Sequence, residues 1–122
     1  MAMTHDSKNL RIRQGTHFVL VHFTGEDFFT YENIKQSHLD EGEPEIGFHF
    51  IITEQGKTLI GRHVSKVGHH YPEFDDTSIG VCVIGGRNEM SDEQSLSLTL
   101  LLEHLKIDYP SLETVKYVYK NH

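Results

Sequence analysis

One cysteine, Cys82, is all that the 122 residues contain. No internal disulfide is open to such a chain, and a reducing compartment is the default at synthesis. Nor is there an apolar run long enough to cross a bilayer. The first eight residues are polar and lack the apolar centre of a signal peptide. The expectation is a chain that is cytoplasmic at synthesis and has no membrane partner. Basic residues are also scarce. Eleven Lys and Arg face 18 Asp and Glu, a net charge of −7 with neutral histidines. That balance argues against a direct nucleic-acid surface. Internal repeats, linkers and low-complexity tracts are missing. So are the HExxH, CxxC and His-x-His spacings, which leaves no metal site announced by spacing alone.

What is present is an ordinary globular composition, 37% hydrophobic and 24% charged, with one excess: ten histidines. Histidines serve metal or proton chemistry, or simply sit at the surface. The length suits one domain over residues 1–122 with one core, residues 1–15 being a polar N-terminal arm. The stretch 77–86, TSIGVCVIGG, is short, β-branched and bounded by turn residues, the pattern of a strand buried on both faces. Gly80 within it permits a close approach by another group, and Gly85-Gly86 ends it. Cys82, in mid-run, reads as a small buried hydrophobe that touches no metal.

Residues 16–23, THFVLVHF, form a second buried strand ending at His22. A loop over 26–30 leads to Thr30, which caps a helix over 31–41 that turns Ile34, His38 and the Leu39 neighbourhood inward. Gly42 closes that helix and Pro44 cannot continue it. Residues 46–53 read as a strand, 54–56 as a turn with Gly56 at positive φ, and 57–61 as the returning hairpin partner. Residues 64–76 show no periodicity. A loop of that length in so small a domain is usually functional, and this one is expected to be exposed and to carry much of any contact. Ser91 to Gln94 is a capping box, opening a helix to about Lys106 with Leu98, Leu101, Leu102 and Leu105 as its buried stripe. A last strand covers 114–119. The order predicts an α/β fold, a mixed central β-sheet flanked by helices.

Strand ends and the long loop offer His22, His49, His63, His69, His70 and His122. A catalytic zinc needs three protein ligands and one open position. Asp75 and Asp76 read as a solvated turn. His22-Phe23-Thr24 and His63-Val64-Ser65 each give His-x-Thr/Ser after an apolar stretch. Such a pair resembles the two-histidine phosphoesterases, a remote alternative whose two-lobed fold wants wider spacing.

A stronger resemblance rests on four segments: FVLVH at 18–22, IGFHFIITEQGKTLIGR at 46–62, VGHH at 67–70 and SIGVCVIGG at 78–86, with the helix IKQSHLDEG between the first two. Together they resemble the type 2 N-acetylmuramoyl-L-alanine amidases, the zinc amidases of bacteriophage lysozymes and peptidoglycan-recognition proteins, over residues 16–119. The short phage enzymes are the most similar. The resemblance implies a mixed sheet carrying a groove for the muramyl peptide, where zinc polarises the lactyl–L-alanine carbonyl and activates a water.

The first zinc histidine then matches His22. The second, at the end of the last strand, falls on Tyr119 or Lys120, and reaches His122 only with a longer strand. The third ligand, a cysteine or aspartate with a nearby lysine, comes later than this sequence runs. Phe48 stands where the family has its catalytic tyrosine. His70 matches a groove histidine beside the metal and Arg62 the arginine after the hairpin. With His49 and His69 these make the implied substrate-binding set. His22, Phe48, His70 and the end of the last strand should converge on one edge of the sheet. The scaffold is kept and the reaction centre altered. That implies a phage-derived, non-catalytic module that binds muropeptide or a protein partner, phage RNA polymerase being one. The alternative is an active or weakened zinc amidase.

Overall fold

The computed structural model of the protein describes residues 10–25, 30–85 and 89–119. Most of the arm, most of the loop before the first helix, Gly86, Lys120 and His122 lie outside the described residues. The elements are β1 (Phe18–Phe23), α1 (Tyr31–Asp40), β2 (Phe50–Ile52), β3 (Thr58–Ile60), β4 (Ser78–Val83), α2 (Asp92–Asp108) and β5 (Thr114–Val118). They build one five-stranded sheet in the order β3-β2-β4-β1-β5. β4 pairs in parallel with β1 and β2, β5 in parallel with β1, and only the β2–β3 hairpin is antiparallel. The predicted mixed sheet flanked by helices is what forms.

All six residues of β4 are buried, as a β-branched run between two covering layers requires. Alternate side chains serve the two faces. Val81 and Val83 join Val19, Val21, Phe23 and Ile52 beneath Leu98 and Leu105 of α2. Cys82 joins Ile51, Ile34 of α1, Ile46 and Ile84 on the opposite face. The capping box of α2 is complete: Gln94 N–H donates to the Ser91 hydroxyl, and the Gln94 side chain accepts from Ser91 N–H. The Thr30 hydroxyl likewise accepts from Asn33 N–H at the start of α1.

Several expectations shift. α2 runs two residues past Lys106, and Leu101 and Leu102 are only half-buried at the margin of its core face. Leu39 is on the exposed side of α1, because Ile34 is the residue that reaches the core. The strand expected over 46–53 is regular only at Phe50–Ile52. Just before it His49 N–H still donates to the Gly80 carbonyl and Arg62 N–H to that of Phe48, but Gly47 meets the loop: His69 N–H donates to its carbonyl, and a Cβ there would lie 2.3 Å from the His69 carbonyl oxygen. The loop over 64–76 is mostly half-buried. It is pinned by the described part of the arm, where Arg13 N–H donates to the Ser65 carbonyl and Val67 N–H to that of Arg11.

Gly80 makes room for a ring. A Cβ there would stand 2.5 Å from Cδ2 and 2.6 Å from Cγ of the His70 ring. Gly80→Ala is therefore expected to push the ring out or open the sheet, at a cost of about 1–3 kcal/mol. Urea unfolding checks this; a variant as stable as the parent would show that the ring is not seated on the strand.

Candidate functional site

The groove grows from the parallel pairing of β1 and β4, which brings His22 beside Cys82 on the α1 face. His70 comes from the loop and lies over Gly80, with no exposed side-chain surface. Its loop is turned by Asp75, whose Oδ1 accepts from the N–H groups of His70 (3.1 Å) and Tyr71 (2.8 Å). His22 Nε2 and His70 Nδ1 are 3.0 Å apart, a hydrogen bond between imidazoles. Phe48 closes the cluster, its ring centroid 5.3 Å from that of His22 and 6.1 Å from that of His70. His38 of α1 follows, 5.5 Å from Phe48.

His22, Phe48 and His38 line a groove with a cavity volume of about 270 Å³, whose walls include Glu41 from beyond α1 and Val118 and Tyr119 at the end of β5, with His70 buried behind His22. Tyr119 stacks on Phe23, centroids 5.5 Å apart and planes 5° apart. The predicted convergence of His22, Phe48, His70 and the end of the last strand is thus observed.

Burial sets the electrostatics. Desolvation pushes the His22 pKa down to about 4 and that of His70 well below its usual value. His38 is lowered by burial first, then by the neighbouring His69. At neutral pH the floor of the groove is a set of uncharged imidazoles and one phenyl ring. Charge appears at the rim, where His69 Nε2 meets Glu41 Oε1 at 2.8 Å and the hydrogen bond holds the Glu41 carboxyl below its usual range.

The other residues expected at the site are placed differently. His49 is fully buried behind the groove. Gly80 N–H donates to its Nδ1, so Nε2 carries the proton and donates to the Lys66 carbonyl at 2.7 Å. Arg62 is 1% exposed, with its guanidinium donating to the carbonyls of Ile46, Val67 and Glu45 and to Glu43 Oε1. Both side chains spend their hydrogen bonds inside the scaffold. His69 stands at the rim, half exposed and facing Glu41 and Glu43. Asp75, expected in a solvated turn, is instead 13% exposed against His70.

His63 bonds its own Ser65 outside the groove, and one continuous sheet is not a two-lobed phosphoesterase fold. His22 and His63 thus bond different partners and make no such pair. Cys82 is buried as expected. Among the described residues no three His, Cys, Asp or Glu side chains are grouped so as to hold a metal ion. The described residues do not make up the zinc set, and His122 lies outside them. The sequence reading missed His38, Glu41 and Asp75 as site residues. For the first two the signal was there: an i, i+3 pair at the end of a capped helix.

The chain belongs to the N-acetylmuramoyl-L-alanine amidase family, whose pattern it matches over residues 13–120. It is 35% identical over 83 residues to the endolysin of Klebsiella phage KP32, an alignment covering 62% of this chain and 55% of that one. The chain spans little more than half the length of the phage endolysins it matches. In structure it is similar to the N-acetylmuramoyl-L-alanine amidase LysC from Clostridium intestinale URNW, with a TM-score of 0.76 and 27% identity over 83% of this chain and 69% of that one. A Drosophila PGRP-LB variant, solved in complex with tracheal cytotoxin, superimposes with a TM-score of 0.75 and 20% identity over 89% of this chain and 74% of that one.

Burial of neutral His49 has a consequence for stability. Desolvation is the main cause of its depressed pKa of about 4, opposed by the Lys66 carbonyl bond and reinforced by Arg13, Arg62 and His63. The unfolded chain takes up this proton near pH 6.5 and the folded chain does not until about 4, so stability is complete above 6.5 and falls with pH through that window. One such group contributes a slope of about 1.4 kcal/mol per pH unit, up to ~3 kcal/mol in all. Buried His22 and His70 add losses of the same sign, so the His49 share is read as the difference between the parent and His49→Gln in urea unfolding from pH 7 to pH 4. Parallel profiles for the two proteins would place His49 in contact with water.

Proposed function

We propose that the groove binds a muropeptide without cleaving it, and that the protein acts as a non-catalytic recognition or regulatory module on an amidase scaffold. One observation carries this reading: Phe48 faces His22 across 5.3 Å, at the position that the resemblance gives to a catalytic tyrosine. A phenyl ring supplies packing but has no hydroxyl to offer a developing oxyanion, and one such contact is worth roughly 100-fold or more in rate. The end of β5 supports the same reading. There Tyr119 and Val118 line the groove at the position implied for a second metal histidine. Aromatic and aliphatic walls around neutral imidazoles suit the sugar ring and methyl groups of a muramyl peptide. The Glu41 and Glu43 carboxylates at the rim favour a donor group on the ligand. His69 and Phe48 are the residues placed to touch it, with His70, His49 and Arg62 holding the wall behind them.

Family membership and the likeness to phage endolysins favour a second reading, a working or weakened zinc amidase. It requires zinc to bind His22 together with ligands beyond the described residues, such as His122. A protein partner, with phage RNA polymerase as one example, is the third. It is favoured by Leu96, Leu100 and Ile107, which stand exposed on α2 at helical spacing.

Calorimetry with a purified disaccharide muropeptide separates them. Binding is expected, unchanged by a chelator and weakened at least tenfold by Phe48→Ala in a variant that still unfolds cooperatively. Binding that needs zinc would promote the amidase reading. No binding by the folded protein would move the site to the outer face of α2.

A further inference from the structure

A second hollow opens on the sheet beyond His22. Lys116 pairs with Leu20, and Val118 with His22, in the β1–β5 register, so all four look out from the same face of the sheet. The long loop supplies the facing wall. Phe74 N–H donates to the Tyr71 carbonyl at 2.9 Å, and the rings of Tyr71 and Phe74 lie with centroids 5.3 Å apart. Between this wall and β5 runs a trough with a cavity volume of about 680 Å³. Val118 and Tyr119 line both the trough and the groove, so the two hollows meet there.

Lys116 is the only charged residue among those that line the trough. Its ammonium stands 5.5 Å from the ring centroid of Phe18 and 5.8 Å from that of Phe74. These rings hold the cation in place without neutralising it. No carboxylate among the described residues lies within ion-pairing distance of it, whereas Arg11 and Arg62 are matched to Asp76 and Glu43. The groove next door has the opposite sign, with Glu41 as its one lining carboxylate. A cation left without a carboxylate, in a chain of net charge −7, fits an anionic group on a ligand. The aromatic wall beside it fits the apolar C–H face of a sugar ring.

We propose that the trough is a second subsite for an acidic sugar, N-acetylmuramic acid with its lactyl carboxylate free. The carboxylate sits on Lys116, and the C–H face of the ring lies against Tyr71 and Phe74. The choice of sugar rests on the muropeptide reading, to which this adds a place beside the groove for a peptide-free residue of the glycan strand. A ligand that spans both hollows is oriented by charge, with a donor toward Glu41 and a carboxylate toward Lys116.

Titrations followed by amide and aromatic NMR spectra of the protein, with chelator present, test it. The probes are N-acetylmuramic acid, its methyl ester, and D-lactate. The acid is expected to shift the signals of Lys116, Tyr71 and Phe74. The ester, which keeps the shape and loses the charge, is expected to bind about fivefold more weakly, the size of one exposed ion pair. Lactate, which keeps the charge and loses the sugar, is expected to bind more weakly than the acid. Lys116 is exposed, so Lys116→Gln is expected to fold as the parent does. It should bind acid and ester alike, and Lys116→Arg should keep the preference for the acid. Equal binding of acid and ester by the parent overturns the proposal. So does lactate that binds as tightly as the acid, an acid that does not bind, or shifts confined to His22 and Phe48. The disaccharide muropeptide, titrated in parallel, separates this subsite from the reading it rests on. Muropeptide binding without a response of the trough to the acid keeps the groove and removes the subsite. A trough that prefers the acid in a protein that ignores the muropeptide keeps the subsite and removes the groove reading.

Discussion

The seat of His70 on Gly80 governs the groove. A central strand buried on both faces leaves no room for a side chain plus an imidazole at one position, and glycine resolves the conflict by giving up its Cβ. The ring then fills the space, ties the long loop to the sheet and presents Nδ1 to His22. Asp75 holds the loop in that course by accepting two backbone N–H groups in one turn. On the other side of the same strand residue, Gly80 N–H is bound by His49, which is in turn fixed by the Lys66 carbonyl. One small residue thus organises two buried histidines and the loop that carries one of them.

Asp75 beneath His70 aside, charged side chains stand away from this centre. Arg62, the only fully buried cation among the described residues, is neutralised by Glu43 and Glu45 and encircled by carbonyls at the base of the loop. Breaking such a pair inside a protein is costly, which suits a residue that holds a wall rather than one that greets a ligand. The imidazoles of the floor stay neutral through desolvation, and the carboxylates stand at the rim. A ligand entering the groove meets hydrogen-bonding groups of defined polarity between apolar surfaces, the arrangement that gives orientation to a bound small molecule.

Much of this was legible in the sequence because it is local. The β-branched run with Gly80 inside it, the two helix caps and the Gly56 hairpin are each set by neighbours a few residues apart, and each formed where its chemistry pointed. The placing of His22, Phe48 and His70 came from motif order, and the structure brings the three together. What the sequence hid is what depends on the third dimension. Asp75 looks like any acidic turn until the loop folds back and sets it on His70. Arg62 looks like a ligand-binding cation until the carbonyls of residues 45, 46 and 67 close around it. Leu39 matches the apolar pattern of α1, but only Ile34 has sheet beneath it. Residues 46–49 carry strand composition, and Phe48 and His49 do bond the chains beside them, but at Gly47 the loop takes the carbonyl instead.

The claim that this amidase scaffold holds its ligand without cutting it is tested most directly by mass. The protein, supplied with equimolar zinc, is incubated to equilibrium with a defined muropeptide, and the products are weighed. An intact lactyl–L-alanine bond, from a sample in which calorimetry shows the groove filled, is the result predicted. Accumulation of free stem peptide that stops on addition of a chelator would contradict it.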